Sequence, residues 1–170
     1  MGYEGHAASL YWQHIIKMLP QNLGFMGRTT RAAKDLVNQC LNYTYGILYG
    51  EVWRSIVKVG LDPYFGLMHG SKRDQGSLVF DLIEEFRAPF ADRLVIGMIG
   101  RGFLPEIGNH GFLKTRSRRQ LALSFSKRWM KKIEWRSRNI EPGAILAKQA
   151  GSIVKLINRE GEYYPYKMRW

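Results

Sequence analysis

Residues 32–59, AAKDLVNQCLNYTYGILYGEVWRSIVKV, decide the fold class. Leu36, Cys40, Tyr43, Ile47 and Ile56 fall at helical spacing, and no proline interrupts them. Thr29 or Thr30 is placed to cap such a helix. Gly60 is its expected C-terminal stop, and Pro63 bars continuation.

The same period reaches most of the chain. Ala8, Tyr11, Ile15 and Leu19 mark a helix over 5–19, broken by Pro20. Residues 64–69 read as extended or irregular, followed by a glycine-bounded polar loop, GSKRDQG, at 70–76. Ser77 can cap a third helix, which Pro89 should kink or restart before it runs on to about residue 101. A loop over 102–115 leads to a fourth helix. Ser117 would cap it, and it reaches about residue 136, with Leu121, Phe125, Trp129 and Ile133 four apart as its core stripe. Pro142 opens a last helix to about residue 159, and the tail EYYPYKMRW is expected to be extended. With no repeat and no linker, the expectation is one all-α, bundle-like domain over 1–170.

At 170 residues, 45% apolar and 13% aromatic, the chain can bury a real core. Lys and Arg outnumber Asp and Glu by 26 to 14, a net +12 that favours a polyanionic partner. The single cysteine, Cys40, cannot pair internally and reads as a small apolar helix residue, suiting a reducing compartment. No apolar run approaches the roughly 20 residues of a membrane span. The opening MGYEGHAAS has no apolar signal core, and His6 stands where a myristoylation motif wants Ser or Thr. The charge is unevenly spread. From Arg101 to Arg138, only Glu106 and Glu134 oppose a long series of bases, whereas acids outnumber bases over 81–92.

Three stretches set metal-binding side chains in apolar or aromatic surroundings: LNYTYGILYGE (41–51), GLDPYFGLMH (60–69) and SLVFDLIEEFR (77–87). They supply Glu51, His69, and Asp81 with Glu84 and Glu85. Carboxylates and an imidazole are what a hard divalent cation takes from protein. Asp81 shares a helix face with Glu84 and with Glu85, where like charges repel unless a cation relieves them. Each piece also has a duller reading. The acids can be solvated beside Arg87 and Arg93, Glu51 can pair with Arg54, and His69 can be a satisfied core histidine. The combination, at separations of 18, 12 and 3 residues, favours metal. In a basic protein it suggests phosphodiester chemistry on nucleic acid.

These motifs, in this order, resemble the CRISPR-associated endonuclease and integrase of spacer acquisition. The resemblance extends to the opening GYEGHAAS and the closing YYPYKMRW, and so covers essentially the whole chain as that family's helical catalytic domain. It implies metal binding by Glu51, His69, Asp81 and Glu84, with Glu51, His69 and Asp81 as catalytic residues. Glu84 is a methylene longer than the Asp common at its position. The implied cofactor is Mg²⁺ or Mn²⁺, and the imidazole tilts the choice towards Mn²⁺. The implied reaction is attack of a fragment's 3′-hydroxyl on a phosphodiester at the edge of a CRISPR repeat. Water in place of the hydroxyl gives a nuclease. The family's N-terminal β-domain has no counterpart ahead of Gly5. The expectation is a compact integrase, rather than a fragment, whose assembly and dependence on a second adaptation protein differ from the usual form.

The implied partners are double-stranded DNA, both fragment and repeat, and further copies of the chain in a homodimer or higher homo-oligomer. The implied compartment is a prokaryotic cytoplasm, with no membrane. Expected DNA contacts are Lys72 and Arg73 beside His69, then Arg116, Arg118, Arg119, Lys127, Arg128, Lys131, Lys132 and Arg136. Among these, Lys127, Arg128, Lys131 and Lys132 would form one helix face, with Trp135 beyond them free to stack on a base. Tyr43, Tyr45, Tyr49, Trp53 and Tyr64 read as aromatic core before interface. The rival functions are a repair nuclease on branched or single-stranded DNA, and a non-catalytic basic DNA-binding module.

Overall fold

The computed structural model describes residues 2–29, 33–66 and 76–168, with Glu4 as backbone only. Helix α1 spans Tyr3–Met18 and α2 spans Leu36–Lys58. The α2 start is shorter than its apolar period suggested. Asp35, not a threonine, is the cap, its carboxylate accepting from the Asn38 N–H at 2.8 Å. Thr29 instead donates its own N–H to the Asn38 side chain, and Thr30 lies outside the described residues. The end is as expected. Gly60 takes φ +81, its N–H reaches Val57 O, and the Leu61 N–H reaches Ile56 O. That pair of bonds is a Schellman stop, which glycine makes without strain.

Helix α3 (Ser77–Phe86) begins with Ser77 as its first helical residue, not its cap; Gly76 holds the cap position. Pro89 does restart the chain. Arg87–Asp92 is a π-helical turn that runs directly into α4 (Arg93–Gly100). An irregular segment with one bridge, Ile107 to Leu113, leads to α5 (Thr115–Met130). Ser117 is buried in the first turn of α5, and its hydroxyl accepts from the Glu106 N–H at 2.9 Å, so it pins the loop and does not cap the helix.

The fourth helix stops well short of residue 136. After Met130 the chain forms a hairpin, β1 (Ile133–Trp135) against β2 (Arg138–Ile140), with Trp135 opposite Arg138. Ile133 and Trp135 are half-buried while Glu134 is exposed, the alternation of a strand. The turn residues Arg136 and Ser137 have φ +49 and +59. Two successive left-handed residues make a type I′ turn, which usually takes Asn-Gly. Placing Arg and Ser there costs on the order of 1–2 kcal/mol per residue. Helix α6 (Pro142–Ile157) then opens on Pro142 as expected. Apart from this hairpin and the isolated bridge, the regular elements among the described residues are helices, as the all-α reading requires.

Helix α2 joins two core clusters. Its first half packs Val37, Cys40 and Leu41 with Ile15 of α1 and Leu19 just beyond it, Val95 and Ile99 of α4, and Leu121 of α5. Its second half packs Leu48, Val52 and Ile56 with Leu78, Leu82 and Phe86 of α3, Phe125 of α5, and Ile145 and Ile153 of α6. Burying each such side chain contributes about 1.5–3 kcal/mol. Cys40 is fully buried and burial pushes its thiol up to about 12. No described helix is long and apolar enough to cross a membrane.

Candidate active site

Helices α2 and α3 run antiparallel, and aromatic contacts fix their register. The Arg87 guanidinium lies 5.1 Å from the Tyr45 ring centre, Phe80 lies 5.6 Å from Tyr49, and Gly76 lies under Trp53. Tyr45, Tyr49 and Trp53 are four residues apart, so they form one stripe of α2 facing α3. Gly76 makes this closeness possible. A Cβ there would sit 2.6 Å from the Tyr49 hydroxyl and 3.0 Å from the Trp53 ring.

Three acids occupy the next turn of α3 and have different fates. Glu85 is fully committed to the fold. It accepts from the Tyr163 hydroxyl, from Gln149 Nε2 at 2.9 Å and from the Tyr166 N–H at 2.6 Å, tying α6 and the tail to α3. Asp81 is half-buried, and the Glu84 side chain is 50% exposed and paired with Arg87. Asp81 and Glu84 therefore form a partly exposed acidic ridge on a helix whose opposite face is core.

A fourth acid, Asp92, closes the π turn and is buried. It accepts from Tyr11 of α1 at 3.0 Å and from Tyr45 of α2. Burial raises its carboxyl above the ordinary range; the two tyrosines and the guanidiniums of Arg28 and Arg87 oppose that shift without cancelling it. Burial first, and the Asp92 charge second, raise Tyr11 and Tyr45 in turn, so both stay hydroxyl donors.

Glu51 does not join the ridge. It stands two residues from Tyr49, so it lies roughly 160° around α2 from the stripe that faces α3. It pairs with Arg54, the duller of its two sequence readings. His69, Lys72 and Arg73 lie outside the described residues. Among the described residues, no three His, Cys, Asp or Glu side chains gather closely enough to hold a metal, so Glu51, Asp81 and Glu84 do not make a cage by themselves.

Another glutamate, Glu4, lies near the start of α1. Ile15 of α1 and Leu19 at its C-terminal end pack with the start of α2, while Tyr11 reaches Asp92 beside Tyr45. Helix α1 therefore runs antiparallel to α2, its N-terminus heading towards the Tyr49 end. Glu4 precedes Tyr11 by seven residues, two turns on the same face. The available signal was its place inside GYEGHAAS, one of the matching motifs.

The basic residues also divide. Arg116, Arg118, Arg119 and Lys127 are exposed on α5. Lys131 and Lys132 are exposed too, but α5 has ended, so they do not continue its face. Arg128 is tied to the fold: its guanidinium donates to Pro89 O at 2.7 Å and lies over the Phe90 ring, and burial lowers its pKa. Arg136 lies 4.7 Å from the Trp135 ring centre, and Lys148 of α6 lies 5.5 Å from it. The ring expected to stack on a base is thus already engaged by two cations.

A family model described as CRISPR associated protein Cas1 matches residues 1–134. A CRISPR-associated endonuclease Cas1 of Pyrobaculum aerophilum is 38% identical over 168 residues, covering 99% of this chain and 49% of that protein. Among solved structures, a casposase bound to integration product superposes with TM-score 0.85 at 25% identity, covering 95% of this chain and 48% of that one. A Cas6-RT-Cas1–Cas2 complex gives TM-score 0.76 at 26% identity, covering 92% and 18%. The chain spans about half the length, or less, of the curated relatives it matches. With the family model running through α5 into the hairpin, and a relative of this identity aligned almost end to end, the chain belongs to the CRISPR-associated Cas1 family.

Proposed function

We propose that this chain is the helical catalytic part of a metal-dependent DNA integrase and endonuclease of spacer acquisition. The observation that carries the reading is the partly exposed Asp81–Glu84 ridge on an otherwise buried helix, in a chain of this family. Two carboxylates on one partly exposed turn suit a hard divalent cation, Mg²⁺ or Mn²⁺. In this reading Asp81, Glu84 and His69 hold it, together with one glutamate: Glu51 on the motif reading, or Glu4, which the run of α1 supports.

The chemistry such a cation supplies when bound is charge neutralisation at a scissile phosphate and activation of an attacking hydroxyl. The chain's own groups do the positioning. Arg87 fixes the Glu84 carboxylate, and through Tyr45 it ties the ridge to the Asp92 node. Arg116, Arg118, Arg119 and Lys127 offer phosphate contacts, with Lys131, Lys132 and Arg136 extending them beyond α5. Lys72 and Arg73 would add two more beside His69. No protein nucleophile is needed, because one phosphodiester replaces another. A fragment has two ends to join, so a homodimer or larger symmetric assembly follows. A second adaptation protein is a plausible addition, given the Cas1–Cas2 complex among the structural neighbours.

The test is a strand-joining assay with a short 3′-hydroxyl duplex and a supercoiled plasmid carrying repeat DNA, in Mn²⁺, Mg²⁺ or chelator. Joined product should require metal, Asp81 and Glu84. Loss of the metal-bound state removes several kcal/mol of transition-state stabilisation, about a thousandfold in rate. Comparing Glu4→Ala with Glu51→Ala assigns the remaining carboxylate: the true ligand shows that loss, the other near-normal joining. Cleavage without joining would point to the nuclease. DNA binding with no metal-dependent product would point to the non-catalytic module.

A further inference from the structure

We propose that the cleft between the β1–β2 hairpin and α6 is a seat for the sugar–phosphate backbone of DNA. It encloses about 560 Å³, and of its nine lining residues four are Arg or Lys and none is Asp or Glu. The four cations are Arg136, Arg138, Lys148 and Lys155. Among the described residues none of them makes an ion pair. Four like charges around one concavity repel one another unless a polyanion occupies it.

The walls are built to hold these charges in place. Lys148, Ser152 and Lys155 are four and three residues apart, so they share one face of α6. Lys148 and Lys155 are separated by roughly 10.5 Å along the helix axis, about three steps of a DNA strand. Between them Gly151 faces open space, since a Cβ there would meet nothing within 4 Å. Opposite, Arg138 pairs with Trp135 across the hairpin, and the Trp135 ring gathers Arg136 and Lys148 from the two walls. Arg136 occupies a left-handed turn position where Asn is usual. A strained turn residue that places a cation at a cleft mouth is the kind of outlier that signals a functional constraint. Because cations engage the indole, the cleft grips backbone and reads no bases.

The neighbouring cleft on the other side of the hairpin shares Arg136 and carries five cations, but Glu134 lines it and its Arg128 is bonded to Pro89 O, so only the α6 side is wholly basic. The choice of DNA over another polyphosphate rests on the integrase reading, but the grip itself does not depend on catalysis. The test therefore measures binding alone, in chelator, by fluorescence anisotropy with the whole chain. Two labelled probes are used: the short 3′-hydroxyl duplex and a repeat duplex.

The Arg138→Gln/Lys148→Gln/Lys155→Gln variant is compared with Lys17→Gln/Lys34→Gln/Lys58→Gln, which removes equal charge from exposed sites elsewhere. The cleft variant should weaken binding of at least one probe about tenfold more than the control at 0.1 M salt. It should also lower the slope of log K against log salt by roughly 2 to 3. The affected probe identifies the DNA seated there. Should the hairpin change disturb folding, Lys148→Gln/Lys155→Gln alone should give about two-thirds of the slope change. If cleft and control variants weaken both probes equally, the seat does not exist, whatever the joining assay shows. Failure of the unaltered chain to join, with this binding difference intact, would overturn the integrase reading and leave the cleft standing.

Discussion

Glu84 and Asp92 are eight residues apart and both face Arg87, yet the chain treats them in opposite ways. Glu84 is half-exposed on a helix turn, and Arg87, next to it, is its ion-pair partner. Asp92 is 2% exposed and collects tyrosine hydroxyls from two other helices, with two guanidiniums nearby. Glu85, between them in sequence, follows Asp92: three donors from α6 and the tail converge on it. Acids that hold helices together are surrounded by donors from elsewhere in the chain. Glu84 is half-exposed and its ion pair is made within its own helix turn. The contrast separates acids held by distant parts of the chain from acids held locally, which residue type cannot.

The largest expected effect breaks the buried side of this comparison. Asp92→Ala leaves two tyrosine hydroxyls and two cations without their common acceptor, and should cost about 3 kcal/mol of stability. For a chain of this size that lowers Tm by roughly 6–12 °C. Asp81→Ala should change stability by less than about 0.5 kcal/mol while abolishing joining. Denaturant titration of both variants checks the pair. Equal destabilisation would mean that the ridge is structural and the contrast false.

The same contrast sorts the basic residues, with a smaller effect. Arg128→Ala removes a bond to Pro89 O and cover from Phe90, and should cost about 1.5–3 kcal/mol. Arg116→Ala, from an exposed position on the first turn of α5, should leave stability within about 0.5 kcal/mol and lower the salt slope of DNA binding by about 1. Thermal melts and anisotropy read the two outcomes. A stable Arg128→Ala with weakened DNA binding would restore Arg128 to the DNA-contacting group.

How much of this was legible in the sequence depended on the range of the interaction. Helix periods, the Gly60 stop and the Pro142 start are set by neighbours within a few residues, and they read correctly. The α5 stripe of Leu121, Phe125 and Trp129 is core, but Ile133 continued its spacing by coincidence. Three-residue strands are too short to display a period of two, and the turn between them lacks the glycine that signals a hairpin. The ridge acids were legible by type and spacing. Which of Glu84, Glu85 and Asp92 would be claimed by tyrosines from α1, α2 and the tail was not, because those partners lie 47 to 81 residues away. The placement of Glu51 away from the ridge has a local reason that a helical wheel shows: the aromatic stripe beside it turns the other way.

The smallest effect tests the electrostatics of Asp92 itself. Burial is the largest influence on its carboxyl and raises it above the value of an unfolded chain. Between those two values the folded protein holds more protons than the unfolded one, so stability falls as pH rises through the window. The contribution is complete below the unfolded value near 3.8 and lost above the raised folded value. The Tyr45 and Tyr11 hydroxyls, then Arg28 and Arg87, oppose the shift without cancelling it, so the window opens upward from the unfolded value. Asp92→Asn keeps an acceptor for a tyrosine and cannot titrate. Urea unfolding from pH 4 to 7 should therefore show wild type losing stability relative to Asp92→Asn as pH rises. The opposite sign would mean that the two guanidiniums outweigh burial, and that Asp92 is an ordinary ion-pair partner after all, no different in kind from Glu84.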